Sequence, residues 1–497
     1  MRSNGILMPI SSLPSKYGIG TFGKEAYKFA DRLKDAGQKY WQILPLGQTG
    51  AGDSPYQSYS TFAGNPYFID LEMLVDEGLI AEEELEQFDF VGHPNYVDYD
   101  KIFASRYKAL KIAYERWNQE YDGAYWEFIK ENKFWLEDYA LYMAIKSSQG
   151  GKSFTEWPAS VRSRDENELL YYRNTFAEDI DFYRFQQYYF MKQWKKLKKY
   201  VNSLGIEIVG DIPIYVAFDS ADTWSDPKLF QFDEDGFPKN VAGCPPDAFS
   251  ATGQLWGNPL YDWEYHEKTG FKWWIKRMSH CLKLYDVVRV DHFRGFDSYY
   301  AIPYGDEDAT RGEWEEGPGM KLFDALKSAL GDMQIIAEDL GYLTDSVRKL
   351  VKDSGYPGMR VLQFAFDHVT PSSYLPHNYD ENCVVYTGTH DNNTLLGWLK
   401  EIPTEDKEYA KEYMGISSIE DDKEIAEAVI RLAMASVAKI CIVPMQEFLG
   451  LSEEARINKP STMGDNWKWR MSEGAFTEEI ALKIKRMTWL YGRESVK

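Results

Sequence analysis

The sequence contains little cysteine. Its 497 residues include four cysteines, which are too far apart for a Cys-x-x-Cys pair or a Cys/His cluster with zinc spacing: Cys244, Cys281, Cys383 and Cys441. We therefore expect neither a disulfide framework nor a structural zinc site. We interpret the four residues as reduced thiols of a protein in a reducing compartment, and we predict a cytoplasmic location.

The sequence also lacks a long apolar run and an excess of positive charge. No run approaches the length of about 20 residues that spans a bilayer. The short apolar stretch at the N-terminus is interrupted by Pro9, which argues against a secretory signal. With 78 acidic and 56 basic residues the formal net charge is −22, and such a surface repels nucleic acids and anionic membranes. We expect the protein to bind neither.

Aromatic residues, in contrast, are abundant. Phe, Tyr and Trp together make up 16% of the chain, with 27 Phe, 35 Tyr and 16 Trp. One interpretation is a large aromatic core. The other is a cleft lined with rings, because a flat apolar face with a polar edge suits an amphipathic ligand. The composition alone leaves both interpretations open.

Eight short segments have the character of β-strands. Most are continuous Val/Ile/Leu-rich runs, which are typical of parallel strands buried on both faces, and amphipathic helices lie between several of them. Eight strands alternating with helices predict a (β/α)8 TIM barrel in the α/β class, with a doubly wound parallel sheet as the alternative. The segments are 5–10, 40–46, 206–212, 286–291, 334–339, 359–366, 383–390 and 439–448.

Three intervals suggest that the barrel carries additional structure. We predict one catalytic domain, residues 1–497, with insertions in it. Residues 66–204 contain helix-like stretches and are predicted as a helical subdomain between strands 2 and 3, because this interval far exceeds an ordinary connection. Residues 219–270, rich in Gly, Pro and Trp, are predicted as a loop-rich subdomain between strands 3 and 4. Residues 302–320 are predicted as a short insertion after strand 4.

Two glycine-containing motifs imitate nucleotide-binding loops but lack the partners that such loops need. Gly18, Gly20 and Gly23 fit the G-x-G-x-x-G pattern, yet the second predicted strand does not end in the carboxylate that would hold a ribose. Gly151-Lys152-Ser153 imitates the end of a phosphate-binding loop, but Lys146 replaces the required upstream glycine. We therefore expect no nucleotide cofactor.

Acidic residues stand at the ends of four predicted strands. In barrel enzymes the catalytic groups come from the carboxyl ends of the strands, where the loops build the site. A single carboxylate at such a position is often a helix cap or a loop anchor, but four together favour a catalytic site. The candidates are Asp211, Asp291, Glu338 and Asp391, with Arg289, His292 and His390 beside them.

Such a set of carboxylates has two chemical interpretations. Two carboxyl groups can cleave a glycosidic bond, one as the proton donor and the other as the nucleophile or as the base that activates water. Alternatively, Asp and His side chains can bind a metal. His292 and His390 each stand next to a carboxylate in the sequence, and neighbouring side chains on a strand point to opposite sides. We therefore expect no metal site.

Several longer segments resemble the 4-α-glucanotransferases of glycoside hydrolase family 77, also called amylomaltases or disproportionating enzymes. The resemblance covers nearly the whole chain apart from the helical insertion. The segments that carry it are Asp53-Ser54-Pro55-Tyr56-Gln57, 62–67, 253–261, 289–295, Ala337-Glu338-Asp339-Leu340-Gly341 and 387–392.

The resemblance implies an enzyme that moves α-1,4-glucan segments to the 4-hydroxyl of another glucan or of glucose, by a retaining double displacement and without a metal or an organic cofactor. It implies maltooligosaccharides, α-1,4-glucans and glucose as partners. Asp291 matches the family's nucleophile, Glu338 its general acid/base and Asp391 its third carboxylate, which holds sugar hydroxyls. The positions that match substrate-binding residues are Tyr56, Asp211, Gln254, Trp256, Arg289, His292 and His390.

The resemblance places Gln254 and Trp256 in a loop that arches over the cleft. We predict that the Gly/Pro-rich loop of residues 242–258, with Phe249 and Trp256 as its aromatic residues, acts as a lid that keeps water from the reaction and as a platform for the acceptor. Two other functions stay open. One is an α-1,4-glucan hydrolase that uses the same site. The other is a non-catalytic glucan-binding protein, for which the loss of one of the three catalytic carboxylates would be expected.

Overall fold

The computed structural model describes residues 2–50, 52–117, 122–246, 250–341 and 343–494. In these residues the strands are β1 Ser3–Leu7, β2 Tyr40–Gln42, β3 Glu207–Pro213, β4 Asn240–Cys244, β5 Gln254–Pro259, β6 Val287–Asp291, β7 Ser298–Pro303, β8 Glu313–Glu316, β9 Ile335–Ala337, β10 Gly358–Val361, β11 Cys383–Tyr386 and β12 Ile440–Pro444. The α-helices are α1 Lys24–Asp35, α2 Leu71–Asp76, α3 Glu82–Leu85, α4 Tyr99–Arg116, α5 Gly123–Ser148, α6 Ala159–Arg162, α7 Glu166–Thr175, α8 Ala177–Ser203, α9 Ala221–Ser225, α10 Trp263–Lys268, α11 Lys272–Leu284, α12 Met320–Leu330, α13 Asp345–Ser354, α14 Leu395–Glu401, α15 Thr404–Tyr413, α16 Asp422–Ala435, α17 Met445–Leu449 and α18 Glu478–Leu490. Within the described residues, no helix has the length and apolar character needed to cross a membrane.

Eight of the strands close into one parallel barrel. Their spatial order is β1-β12-β11-β10-β9-β6-β3-β2, and β2 returns to β1. Each of the eight segments predicted from the sequence overlaps one barrel strand, so the predicted (β/α)8 fold is confirmed and the doubly wound sheet is excluded. Every residue of β11 and β12 is buried, which explains why these strands are continuous apolar runs rather than alternating ones.

The register of the barrel strands brings candidate site residues together. Between β3 and β6, Asp211 pairs with Arg289 and Pro213 pairs with Asp291. Registered partners on neighbouring strands point to the same side of a sheet, so Asp211 and Arg289 both point into the barrel. Parallel strands also place all their carboxyl ends on one rim. The loops after β3, β6, β9 and β11 therefore meet at that rim.

Between β2 and β3 the chain forms seven α-helices, α2–α8, among the described residues. The two longest, α5 and α8, pack against each other. Helix α8 buries Phe185, Tyr189 and Trp194 among other residues, and its middle is buried on all sides, as is typical of a helix that is enclosed by other elements. We propose, as an interpretation of this arrangement, that 66–204 is an insertion into the barrel, and likewise 219–270 and 302–320.

A second sheet, which the sequence analysis did not predict, lies beyond the barrel strands. Its antiparallel strands have the order β5-β4-β7-β8. β4 and β5 occupy the two ends of 242–258, so the prediction of one continuous loop there is wrong. The reason is pairing across a long sequence separation: β4 pairs with β7 as well as with β5. The short, polar β8 has no apolar alternation that would reveal such a partner.

Candidate active site

A buried arginine links two of the candidate carboxylates. Nη1 of Arg289 donates to both carboxylate oxygens of Asp211, at 2.7 and 2.6 Å. Nη2 of Arg289 donates to Oδ1 of Asp291 at 3.0 Å. The side chains of Arg289 and Asp211 are almost fully buried, whereas 31% of the Asp291 side chain is exposed. The guanidinium therefore anchors Asp291 at the floor of an open cleft.

Glu338 directly follows β9 and is held by two backbone amides. The N–H of His292 donates to Oε2 at 2.6 Å, and the N–H of Leu340 donates to Oε1 at 2.9 Å. His292 has left-handed backbone angles, φ 55° and ψ 47°, which few residues with a Cβ adopt. Because His292 directly follows Asp291, its hydrogen bond also fixes the position of Glu338 relative to Asp291.

The two carboxyl groups differ in their affinity for protons. Poor solvation in the cleft and the neighbouring charge of Asp291 raise the pKa of Glu338 to about 7, although Arg289 and the two amides oppose this rise. Poor solvation also raises the pKa of Asp291, but there the adjacent guanidinium favours the ionised form. Asp291 therefore loses its proton first, and near neutral pH a protonated Glu338 lies beside an ionised Asp291.

Three aromatic rings pack together at one side of the cleft, and of these Tyr56 is partly exposed while His390 and Trp467 are buried. Tyr56 stacks on His390 with ring centroids 5.0 Å apart, and the ring of Trp467 lies 5.8 Å from both. The hydroxyl of Tyr56 donates to Oδ2 of Asp211 at 2.7 Å. Tyr56 therefore connects the aromatic side of the cleft to the Arg289–Asp211 pair.

Asp391 is held from two sides. Nδ2 of Asn458 donates to its Oδ1 at 2.6 Å, and Nε2 of His390 lies 3.3 Å from the same oxygen. Burial by itself would raise the pKa of Asp391, but His390 and Asn458 outweigh it and lower the pKa to about 2. The contact between His390 and Asp391 corrects the expectation from the sequence that these neighbouring side chains point to opposite sides of a strand. β11 ends at Tyr386, so His390 and Asp391 lie beyond the strand, where neighbouring side chains can meet.

Gln254 and Trp256 lie on β5, at another side of the cleft. The ring of Trp256 meets that of His292 at 90°, with centroids 4.8 Å apart, and its Nε1 donates to Oε1 of Gln254 at 3.0 Å. Burial, with a smaller effect of Arg294, lowers the pKa of His292 to about 3, so its imidazole is neutral at pH 7. Phe249, the other aromatic residue of the predicted lid, lies outside the described residues.

The structure places all ten predicted site residues in two connected groups. The groups meet at the peptide bond between Asp291 and His292. The first group contains Tyr56, Asp211, Arg289, Asp291, His390 and Asp391. The second group contains Gln254, Trp256, His292 and Glu338.

Three further residues at the cleft were missed by the sequence analysis. Besides Asn458 and Trp467, Arg456 contributes, since its Nη2 donates to the backbone carbonyl of Asp391 at 2.8 Å. All three come from the segment between β12 and α18. Their position after the last barrel strand could have indicated a place at the cleft, because the loops at the carboxyl ends of barrel strands build active sites. The segment is neither apolar nor rich in paired carboxylates, and so it matched no motif.

One cluster of side chains has the spacing of metal ligands. In the described part of the chain, one ligand atom each of Asp367, His368 and Asp406 lie within 4.8 Å of one another. Nδ1 of His368 and Oδ1 of Asp406 are 2.6 Å apart and share a hydrogen bond. The cluster is largely exposed and contains none of the ten predicted site residues.

Comparisons with known proteins agree with the sequence resemblance. The family model described as 4-alpha-glucanotransferase, glycoside hydrolase family 77, matches residues 8–477. The chain is similar to the 4-alpha-glucanotransferase of Clostridium butyricum, with 50% identity over 488 residues that cover 98% of this chain and 100% of the relative. Its fold is similar to that of the amylomaltase from Streptococcus agalactiae solved in complex with acarbose, with a TM-score of 0.96, 42% identity and 100% of both chains covered. The amylomaltase from Corynebacterium glutamicum shares the fold at 17% identity, with a TM-score of 0.81 over 98% of this chain and 75% of that one. The resemblance inferred from the sequence is confirmed, and the chain belongs to the 4-α-glucanotransferases of glycoside hydrolase family 77.

Proposed function

We propose that the protein transfers α-1,4-glucan segments from one maltooligosaccharide to the 4-hydroxyl of another glucan or of glucose. The reaction is a retaining double displacement at Asp291 and Glu338, and it uses neither a metal nor an organic cofactor. The observation that carries this proposal is the pair of carboxyl groups with different proton affinities at one cleft: Asp291 beside Arg289 at 3.0 Å, and Glu338 with a pKa of about 7.

In the first half of the reaction, the ionised Asp291 attacks the anomeric carbon of the donor sugar. The bond between that carbon and the glycosidic oxygen breaks as Glu338 gives its proton to the oxygen. The shortened glucan leaves, and the remaining segment is held on Asp291 as an ester. Arg289 supports this step because it orients the attacking carboxylate and keeps it ionised.

In the second half, the 4-hydroxyl of an acceptor glucan takes the place of water. Glu338, now ionised, accepts the hydroxyl proton while the oxygen attacks the anomeric carbon and Asp291 is released. Two inversions at the same carbon retain the α-configuration. Water must be kept out between the two halves, and Trp256, packed on His292 at 4.8 Å, is the residue to which we assign that task.

The remaining residues bind the donor sugar in this proposal. Asp391 has a low pKa, so it stays ionised and can accept hydrogen bonds from sugar hydroxyls throughout the reaction. Tyr56 offers an aromatic ring that is stacked on the buried ring of His390, on the side of Asp291 where Asp391 lies. The acarbose bound to the amylomaltase of Streptococcus agalactiae supports an oligosaccharide in such a cleft, since the two chains are alike over their full length.

The experiment that tests this proposal is incubation of the purified protein with maltotriose alone. Transfer predicts free glucose together with a ladder of longer maltooligosaccharides, at a constant number of reducing ends. Rising reducing ends without a ladder would identify a hydrolase on the same site. No change with maltotriose or longer donors would favour a glucan-binding protein.

The variant Asp291→Asn assigns the nucleophile. It removes the attacking charge without changing the shape of the side chain, so we expect transfer to fall at least about a thousandfold. The matched control is Asp332→Asn, because that carboxylate is 91% exposed and precedes β9 at the opposite end of the barrel. Wild-type turnover in Asp291→Asn would contradict the assignment.

A further inference from the structure

An exposed tryptophan lies on the outermost strand of the second sheet. Trp314 is on β8, which forms the edge of the order β5-β4-β7-β8, and 44% of the residue is exposed. The guanidinium of Arg294 lies 4.1 Å from the centre of its ring, and the ring of Tyr300 meets it at 62° with centroids 5.2 Å apart. The indole is thus held in one orientation by two neighbours and still presents surface to solvent.

Strand β8 lies at the edge of the second sheet that is nearer to the loop carrying Glu338. At the other edge of the sheet, Nδ2 of Asn258 on β5 donates to the carbonyl of Val216, in the loop after β3. β7 continues the loop after β6. In the barrel, β6 lies between β3 and β9. The second sheet runs in the same direction, from β5 near the loop after β3, through β7 near the loop after β6, so that β8 lies on the side of β9. Oδ2 of Asp297, next to β7, accepts a hydrogen bond from Ser346 Oγ at 2.9 Å, and Ser346 lies at the start of α13, after β9.

Arg294 connects Trp314 to the reacting groups. It lies two residues after His292, and Glu338 is among the charges that act on its guanidinium. In the proposed function the donor sugar lies on the other side of Glu338. There the group of Tyr56, His390, Asp391 and Trp467 connects to Asp291 through Asp211 and Arg289. A proton donor to the glycosidic oxygen stands between donor and leaving group. The leaving glucan, and later the acceptor, must therefore extend from Glu338 on the side of Arg294.

We propose that Trp314 is an outer binding platform for the acceptor glucan. A sugar ring offers an apolar face of C–H groups that packs on an exposed indole, and the rigid ring restricts little additional motion when it binds. Because the side chain of Arg294 lies between Glu338 and the indole, the proposal implies that a single glucose next to Glu338 does not reach this platform, whereas an acceptor of several glucose units extends over it. The inference rests on the proposed function, because it assumes that the site accepts a glucan.

The test compares acceptors of different length. Soluble starch is the donor at a fixed, saturating concentration, and uniformly 13C-labelled glucose, maltose, maltotriose and maltotetraose are varied as acceptors, with elongated labelled products followed by mass spectrometry. For Trp314→Ala we expect KM for maltotetraose to rise about three- to tenfold, as the loss of one aromatic contact predicts. We expect KM for glucose and both kcat values to stay unchanged. Trp314→Phe, which keeps a ring, should recover most of the loss.

Trp489→Ala is the matched control. Trp489 is 56% exposed and also lies beneath a guanidinium, that of Arg486 at 4.3 Å, but it is on α18, away from the cleft. It should leave every KM unchanged. An unchanged KM for maltotetraose in Trp314→Ala would overturn the inference, as would an equal rise for glucose and maltotetraose. If the wild type elongates no acceptor at all, the proposed function itself fails, and this outcome is distinct from transfer that ignores Trp314.

Discussion

At the scale of single residues, the backbone conformation next to the candidate site is unusual. Among the described residues, six that are not glycine have φ between 53° and 65°. Three of these, Asp53, His292 and Trp467, belong to the cleft or to the segment that carries Tyr56. Such conformations cost about 1–3 kcal/mol each and persist where the surroundings impose them. At His292 the left-handed conformation directs the backbone N–H to Glu338, where it makes a hydrogen bond.

The raised pKa of Glu338 predicts how this residue affects stability as pH changes. Its carboxyl has a pKa of about 7 in the folded protein and about 4.3 in an unfolded chain. Ionisation therefore costs the folded state more than the unfolded state, and the wild type loses stability as pH rises between these values. Glu338→Gln cannot ionise. We expect its free energy of unfolding, relative to wild type, to increase by about 3 kcal/mol from pH 4.5 to pH 8.

Urea denaturation at several pH values measures this difference. In the variant, the NH2 group of the new amide replaces an oxygen that accepts a backbone N–H, which lowers the free energy of unfolding by the same amount at every pH. This constant difference does not affect the comparison, which depends on how the difference varies with pH. Glu473→Gln, a change at an exposed carboxyl, is the control for replacing one carboxyl by an amide. A pH-independent offset between Glu338→Gln and wild type would mean that the carboxyl of Glu338 is not held protonated by the fold.

At the scale of elements, helix α8 braces the segment that follows the Tyr56 loop. Gln187 accepts from the N–H of Gly64 at 2.7 Å and donates to its carbonyl at 2.9 Å. Gln193 makes the same pair of hydrogen bonds with Asp70, at 2.6 and 3.1 Å. A Cβ at position 64 would lie 2.2 Å from the ring of Phe190, so the close approach of helix and segment requires glycine there.

We expect Gln187→Leu to lower the free energy of unfolding by about 2–4 kcal/mol. The substitution leaves a buried N–H and a buried carbonyl of Gly64 without a partner, and each such group costs about 1–3 kcal/mol. Urea denaturation measures the change. Gln87→Leu, at an exposed position, is the control and should change little. A similar, small effect of both substitutions would mean that the hydrogen bonds between Gln187 and Gly64 contribute little to holding α8 against this segment.

At the scale of the whole molecule, one arginine ties the two ends of the chain together. Arg493 is fully buried. Its guanidinium donates to the carbonyls of Met434 at 2.7 Å, Ser436 at 3.0 Å and Ser3 at 3.1 Å. Ser3 begins β1, and Ser436 lies just before β12, so these hydrogen bonds span the seam where the first and last strands close the barrel.

Arg493→Lys should weaken this seam. An ammonium on a flexible stem does not reproduce three hydrogen bonds made by a planar guanidinium, so we expect the free energy of unfolding to fall by about 3 kcal/mol. Arg493 lies at the end of the barrel opposite the cleft. We therefore expect kcat and KM with maltotriose to be unchanged at 25 °C. Arg348→Lys, at an exposed position, is the control. Equal stability of both variants would show that the seam does not depend on Arg493.

Much of the barrel and part of the site follow from local sequence. A strand buried on both faces must be apolar along its length, so β11 and β12 are readable as continuous runs. Residues at the end of such a run must lie at the barrel rim, and this is why Asp211, Asp291, Glu338 and Asp391 could be grouped from the order of residues alone. The family motifs added the individual roles proposed for them.

Other features were decided only by the tertiary structure, because they depend on contacts between distant segments. The second sheet exists since β4 meets β7, and neither strand's sequence reveals its partner. Asn458 and Trp467 enter the cleft from beyond the last barrel strand, without a motif of their own. The difference in proton affinity between Asp291 and Glu338 comes from their solvation and from the placement of Arg289. The sequence thus determined which carboxyl groups meet, and the packing around them determined which one holds its proton.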